Sequence, residues 1–154
     1  VSRPIRRATP SDAPLLAQHR VLLWREVGGW GEELQPQIAV WTSWMRAALG
    51  DGRLLAWIAE DDGAPVASAA LLIAPAVPRP SSPAEHEGRV HGVYVEPSAR
   101  RRGLARALMG ALLAHARAYP LVRLVLHPSD EARPLYATLG FLPLDEVVLR
   151  LAPD

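Results

Sequence analysis

The chemistry in this sequence is concentrated in the stretch Val93-Tyr94-Val95-Glu96-Pro97-Ser98-Ala99-Arg100-Arg101-Arg102-Gly103-Leu104-Ala105-Arg106. An apolar run leads through a short loop into three arginines, a glycine and then residues with helical spacing. The first backbone N–H groups of a helix have no partner within it, and the macrodipole places positive potential there. Gly103 removes the side chain that would hold an anion away from those amides, and Ala105 does nearly the same one step later. The arginines add charge and forked donors. Such a bend is a phosphate cradle, suited to a diphosphate. The alternative is a solvated cluster. Cations sit unfavourably at the positive end of a helix, however, which shifts the weight toward an anionic ligand. The pattern is neither Gly-x-x-x-x-Gly-Lys-Ser/Thr nor the dinucleotide Gly-x-Gly-x-x-Gly.

A second group of residues lies downstream, Leu135-Tyr136-Ala137-Thr138-Leu139-Gly140-Phe141. Arg100-x-x-Gly103-x-Ala105 resembles the Gln/Arg-x-x-Gly-x-Gly/Ala signature of the GCN5-related N-acetyltransferase (GNAT) superfamily, which binds the diphosphate of acetyl-CoA. Val93-x-Val95-x-Pro97 is similar to the end of that family's fourth strand. The downstream group resembles its Leu-Tyr-x-x-x-Gly-Phe motif. The similarity is close from about Gly88 to Leu144, whereas the N-terminal part agrees in the order and length of its elements.

The resemblance implies a fold, a donor and a set of roles. The fourth and fifth strands would splay apart, and the pantetheine arm would lie in the gap along Val93, Tyr94 and Val95 like an added strand. Val93 and Val95 would offer backbone hydrogen bonds, one of them to the negative charge developing on the thioester oxygen. Their side chains can pack in the core at the same time. Arg100, Arg101, Arg102, Gly103, Leu104, Ala105 and Arg106 would wrap the diphosphate, mostly through main-chain donors. Arg101 and Arg102 either reach the adenosine 3′-phosphate or face water. Ser129 stands where many members have an asparagine that contacts the cofactor arm. Tyr136 would be the general acid for the departing thiolate, since a phenol with a reference pKa of ~10 can donate to sulfur.

The general base is left open. Arg89 aligns with the glutamate that some members use, so that role falls to Glu87 or His91, which share a strand face at two-residue spacing; otherwise both are ordinary polar residues at a strand end. Trp24 and Trp30, with Trp41 and Trp44, are candidates for one wall of the acceptor pocket, the alternative being helix packing. The implied reaction is direct transfer of an acetyl group from acetyl-CoA to a primary amine of a small molecule, protein or peptide. With no cysteine, the commonest covalent route is closed. The rival is a non-catalytic acyl-CoA sensor or interaction module on the same fold.

These residues need a scaffold, and the composition permits one. The chain has 154 residues, 49% apolar and 21% charged, with no cysteine. That is the size of one domain, which excludes wholesale disorder and a disulfide framework. All 17 basic residues are arginine against 16 acidic ones, for a net charge of +1. A near-neutral balance argues against a nucleic-acid partner. Val1 to Arg7 lacks the apolar core of a signal peptide, and no apolar run reaches the ~18 residues of a membrane span. A cytoplasmic protein without a membrane partner is expected, with homodimerisation the base-rate expectation. No His/Asp/Glu spacing suggests a metal.

The hydrophobic pattern predicts a strand at Ile5–Ala8, a helix opened by Thr9-Pro10-Ser11-Asp12 and ended by Gly28-Gly29, and a helix over about 33–49. Strands over 54–60 and 66–74 read as a hairpin across Asp61-Asp62-Gly63-Ala64. A Pro-rich loop over 75–83, a strand over 89–95, an amphipathic helix over 103–119 and a strand over 121–126 follow. Pro134 suggests that a last short helix begins near Glu131. Strands at 141–144 and 147–151 complete the chain. The expected fold is a single α/β domain over residues 1–154: a mixed, mostly antiparallel twisted sheet of about seven strands, flanked by four helices.

Overall fold

The hairpin at the centre of the sheet follows from residue type. In the computed structural model, which describes residues 4–152, strands β2 (Leu54–Asp61) and β3 (Ala64–Pro75) pair antiparallel from Leu54↔Leu72 to Asp61↔Ala64. Asp62 and Gly63 link them with φ of 50° and 78°, the pair of positive values that matches the twist of a two-residue hairpin. Strand β1 (Ile5–Arg7) joins the outer side of β2, and β4 (His86–Val95) joins β3, both antiparallel. Strand β5 (Leu121–Val125) lies parallel to β4, giving the order β1-β2-β3-β4-β5.

Helices cover both faces. Helices α1 (Ala13–Gly28) and α2 (Gln37–Asp51) lie on one side, where Leu16, Ala56 and Ile58 form a small core with Met45 and Ala70 against it. Helix α3 (Leu104–Ala118) covers the other face through Leu104, Leu108, Met109, Leu112, Leu113 and Ala116, a broad stripe at helical spacing. Those side chains pack with Trp57, Ala69, Leu71, Val90 and Tyr136. Asp12 anchors the entry to α1. Its carboxylate accepts the Thr9 N–H at 2.8 Å and both arms of Arg6 at 2.9 Å, while Arg6 Nε reaches Glu60 at 2.6 Å. The Arg6 guanidinium holds the Asp12 carboxyl down at a pKa of about 2.

Among the described residues the sheet has five strands, not the expected seven. Residues 141–151 form no strand, and Leu142, Leu144, Val147, Val148, Leu149 and Leu151 are exposed, Val147 completely at 101%. The alternation there reads as strand, but a strand exists only with a hydrogen-bonded neighbour, and the segment runs past the sheet without one. The last helix, α4 (Arg133–Thr138), also starts later than Pro134 suggested. Proline occupies its first turn, where no intrahelical N–H bond is needed. Pro36 likewise shortens α2 at its start, leaving Glu32–Leu34 as a separate 3₁₀ turn.

Strand β4 carries the feature that shapes the site. Ser68 pairs with Tyr94 and Ala70 with His91, so β4 holds one residue more than β3 across this interval. Gly92 supplies the bulge with φ +59°. Because the bulge shifts the alternation, Val90 packs toward α3 before it and Val93 and Val95 do so after it. Pairing with β5 ends at Arg89↔Val125. Residues 90–95 therefore have no strand partner on that side among the described residues. The ladder between the fourth and fifth strands ends where β5 ends, which leaves this edge of β4 open.

Candidate active site

Two spaces adjoin β4. The first lies where β4 runs through a short 3₁₀ turn, Pro97–Ala99, into α3. Arg101 and Gly103 both adopt left-handed backbone, φ +62° and +77°, which turns the chain sharply ahead of the helix. No side chain caps α3, so its first amides remain available. A Cβ placed on Gly103 would meet no protein atom within 4 Å, so the cradle opens outward. The bend thus combines uncapped helix amides, an unobstructed glycine and neighbouring arginines, a donor set whose chemistry suits an anion.

The arginines divide their work. Arg100 is turned inward: Nε donates to the Val95 carbonyl at 2.9 Å, a terminal nitrogen to Glu26 at 2.7 Å, and the guanidinium sits 5.9 Å from the Tyr94 ring centroid. It thus ties the end of β4 to α1. Arg102 reaches Asp61 at 3.3 Å, and Arg106 bridges to Thr138 of α4 at 2.8 Å. Arg101 is exposed, Leu104 is buried under the sheet and Ala105 is half-buried. Tyr94 packs on the α1 face, 5.0 Å ring to ring from His19. The buried His19 bonds Ser68 at 2.8 Å through Nδ1, and burial lowers its pKa to about 4.

Tyr136 lies in α4 on the α3 side of the sheet, buried and edge to face with Phe141 at 5.7 Å. Burial raises its pKa, which keeps the phenol protonated and able to donate at neutral pH. Ser129 is exposed. Its Oγ accepts the Ala132 N–H at 3.3 Å, and its carbonyl accepts from Ala132 and Arg133, so it shapes the turn that starts α4.

The second space is a cavity of ≈ 400 Å³ between α1, α2 and the sheet. Its wall is mostly apolar, with Leu16, Trp41, Trp44, Met45, Ala70 and Leu72, and it reaches β4 at His91 and Gly92. Arg20 and His91 are its only titratable lining residues. Burial, then the charges of Arg20 and Arg89, lower the His91 pKa and leave a neutral imidazole. Glu87 lies outside the cavity, held by Arg123 at 3.0 Å and Arg89 at 3.8 Å. Trp24 and Trp30 also lie outside it, packed edge to face at 6.3 Å. The cation that Trp24 contacts is the protein's own Arg20, 5.5 Å from its ring. Among the described residues no group of three or more His, Cys, Asp or Glu is placed to hold a metal ion, and no helix is long and apolar enough to cross a membrane.

Residues 16–141 match the model of the "Acetyltransferase (GNAT) family". The chain belongs to that family. Among solved structures, this GNAT chain is similar to a GCN5-related N-acetyltransferase from Ralstonia eutropha JMP134, with 31% identity and a TM-score of 0.90 over 99% of this chain and 100% of that one. A predicted acetyltransferase with acetyl-CoA from Clostridium acetobutylicum has the same fold, at 24% identity and a TM-score of 0.87 over 97% and 96%. A ribosomal-protein-alanine N-acetyltransferase from Brucella melitensis biovar Abortus 2308 shares it more distantly, at 21% identity and a TM-score of 0.70 over 98% and 100%. No curated protein matches the sequence.

Three elements of this GNAT site escaped the sequence reading. The bulge had a signal, an isolated glycine inside a strand pattern. Arg20 had one as well: it lies four residues from both Leu16 and Trp24, a cation within an apolar helical stripe. The Glu26–Arg100 pair spans 74 positions, and no local pattern announces it.

Proposed function

We propose that this GNAT protein is an acetyl-CoA-dependent N-acetyltransferase that moves the acetyl group directly onto a primary amine. The observation that carries the reading is the convergence at β4. The strand edge freed beyond Arg89 runs into the open cradle at Gly103, and the apolar cavity reaches the same strand at His91 and Gly92. A donor laid along the free edge and an acceptor in the cavity would meet at the bulge. The likeness in fold to a protein whose structure holds acetyl-CoA supports the donor assignment.

In this reading the amides at the start of α3 and the charge of Arg101, Arg102 and Arg106 hold the diphosphate. The backbone of Val93, Tyr94 and Val95 aligns the pantetheine arm and meets the charge developing on the carbonyl oxygen. Ser129 borders the arm only through the turn it builds. Arg100 keeps cradle and strand in register with α1. His91, neutral and on the cavity wall, takes the proton from the amine as its nitrogen bonds to the acetyl carbon. Tyr136 gives its proton to sulfur as the carbon–sulfur bond breaks. Glu87, paired to two arginines outside the cavity, supports the strand.

The test combines acetyl-CoA titration by calorimetry with CoA release over a panel of small amines and peptide N-termini. Binding with turnover on at least one amine is expected. Failure to bind acetyl-CoA refutes the reading, and binding without turnover on any amine supports a sensor instead.

We also propose that two copies associate through the bare segment 142–151, its alternating apolar residues pairing with the free edge of β5 in the partner. Sedimentation should give a dimer that becomes a monomer when residues 142–154 are removed; a monomeric intact chain refutes it.

A further inference from the structure

The cavity that would take the acceptor holds a charge with no counter-charge. The Arg20 guanidinium lies 4.9 Å from the Trp41 ring centroid and 5.5 Å from that of Trp24. Among the described residues it makes no ion pair with a carboxylate, whereas Arg6, Arg53, Arg100, Arg102 and Arg123 all do. Burial alone moves its pKa, downward, with no acid nearby to raise it. It nonetheless stays charged at neutral pH.

A half-buried cation that meets no carboxylate among the described residues is costly to keep in an apolar wall. Contact with the indole faces offsets part of that cost. No side-chain hydrogen bond to Arg20 is seen among the described residues, so its N–H groups are available to a ligand. Those donors form a planar fork that matches a carboxylate. The other titratable group of the cavity, His91, is close enough to feel the charge of Arg20. The remaining wall, with Val40, Trp41, Trp44 and Met45, offers apolar and aromatic surface. A volume of ≈ 400 Å³ suits a small molecule and not a folded protein.

We propose that the acceptor is an amino carboxylic acid with an apolar body, of the class of free hydrophobic or aromatic amino acids. Arg20 binds its carboxylate, His91 faces its amine, and the indoles of Trp41 and Trp44 enclose its side chain. This specificity rests on the acetyl-transfer reading above, and Arg20 acts in it as a binding residue.

The experiment compares phenylalanine and leucine with their amides, with phenethylamine and with a peptide carrying the same N-terminal residue. The amide amine is the easier one to deprotonate, so a preference for the acid runs against intrinsic reactivity. In the wild type, kcat/KM for the free acids should exceed that for the amides at least about tenfold, the scale of a charge-assisted hydrogen bond in a desolvated site. Arg20→Met, which keeps contact with both indoles, should erase that ratio without changing acetyl-CoA affinity, and Arg20→Lys should restore part of it. Amides, phenethylamine or peptide working as well as the acids, or a preference that survives in Arg20→Met, overturns the proposal and leaves acetyl transfer standing. If no amine turns over, calorimetry of phenylalanine against its amide still decides. Acid-selective binding lost in Arg20→Met supports the site, and equal or absent binding of the two overturns it.

Discussion

Gly103→Ala isolates the cradle from the stability of the fold. At φ +77° an alanine must hold a left-handed backbone, which costs roughly 1–2 kcal/mol, while the less flexible unfolded chain returns about 0.4–1 kcal/mol. The new methyl meets no protein atom within 4 Å, so no packing cost is added. A net loss of about 1 kcal/mol is expected. Gly52, the residue after α2, provides the control: its φ is +83°, and its Cβ space is equally open. Urea unfolding should therefore show similar destabilisation for Gly52→Ala and Gly103→Ala. Calorimetry should separate them. A methyl in the cradle stands between the diphosphate and the α3 amides, and losing one charge-assisted hydrogen bond is worth about 1.5–3 kcal/mol. At ~1.4 kcal/mol per decade, acetyl-CoA affinity should fall roughly ten- to hundredfold in Gly103→Ala and stay unchanged in Gly52→Ala. Wild-type affinity in Gly103→Ala, or equal weakening in both variants, would refute the cradle.

Tyr136→Phe should lower kcat by about a hundredfold or more while leaving acetyl-CoA affinity intact, and unchanged turnover would end its role as acid. The neutral His91 should give kcat/KM an acid limb below the ordinary imidazole value of 6.5, with activity lost as pH falls and the imidazole is protonated. Arg20→Met removes one of the cations that depress it and should move that limb upward; an unmoved limb in both Arg20→Met and His91→Ala excludes His91 as base. His19 makes a linkage prediction. Its folded pKa of about 4 lies below 6.5, so its contribution is present above the unfolded value and lost as pH falls toward the folded one. From about pH 7.5 to about pH 4.5 the wild type should lose roughly 2.5 kcal/mol more than His19→Gln in urea unfolding, and parallel profiles for the two proteins would refute it.

The candidate donor half of the site was legible because its chemistry is local. Arg100 to Arg106 lie within one loop and the first turn of a helix, and free amides at a helix start depend only on where that helix begins. Tyr136 was singled out by its motif, and its place in α4, like the α3 stripe and the Asp62-Gly63 turn, follows residue type and period. The acceptor half was not legible. Trp24, Trp41 and Trp44 lie on helices and Trp30 in the loop between them, and only the packing of α1 and α2 on the sheet sends Trp41 and Trp44 into the cavity and leaves Trp24 and Trp30 outside. Glu87 and His91 share a strand face, and the register between them is regular, yet the cavity reaches His91 while Glu87, farther along the strand, is engaged by Arg123 and Arg89.

The C-terminal segment marks the same boundary. Its alternation specifies a strand, and the five-stranded sheet leaves it bare. The sequence by itself determined the main helices and the first five strands and where a helix start leaves its amides free, because those depend on neighbours a few residues apart. Tertiary structure alone decided which side chains face the cavity, that its arginine meets no carboxylate among the described residues, and which strands find partners. Those depend on contacts between residues distant in the chain, and a local pattern carries no information about them.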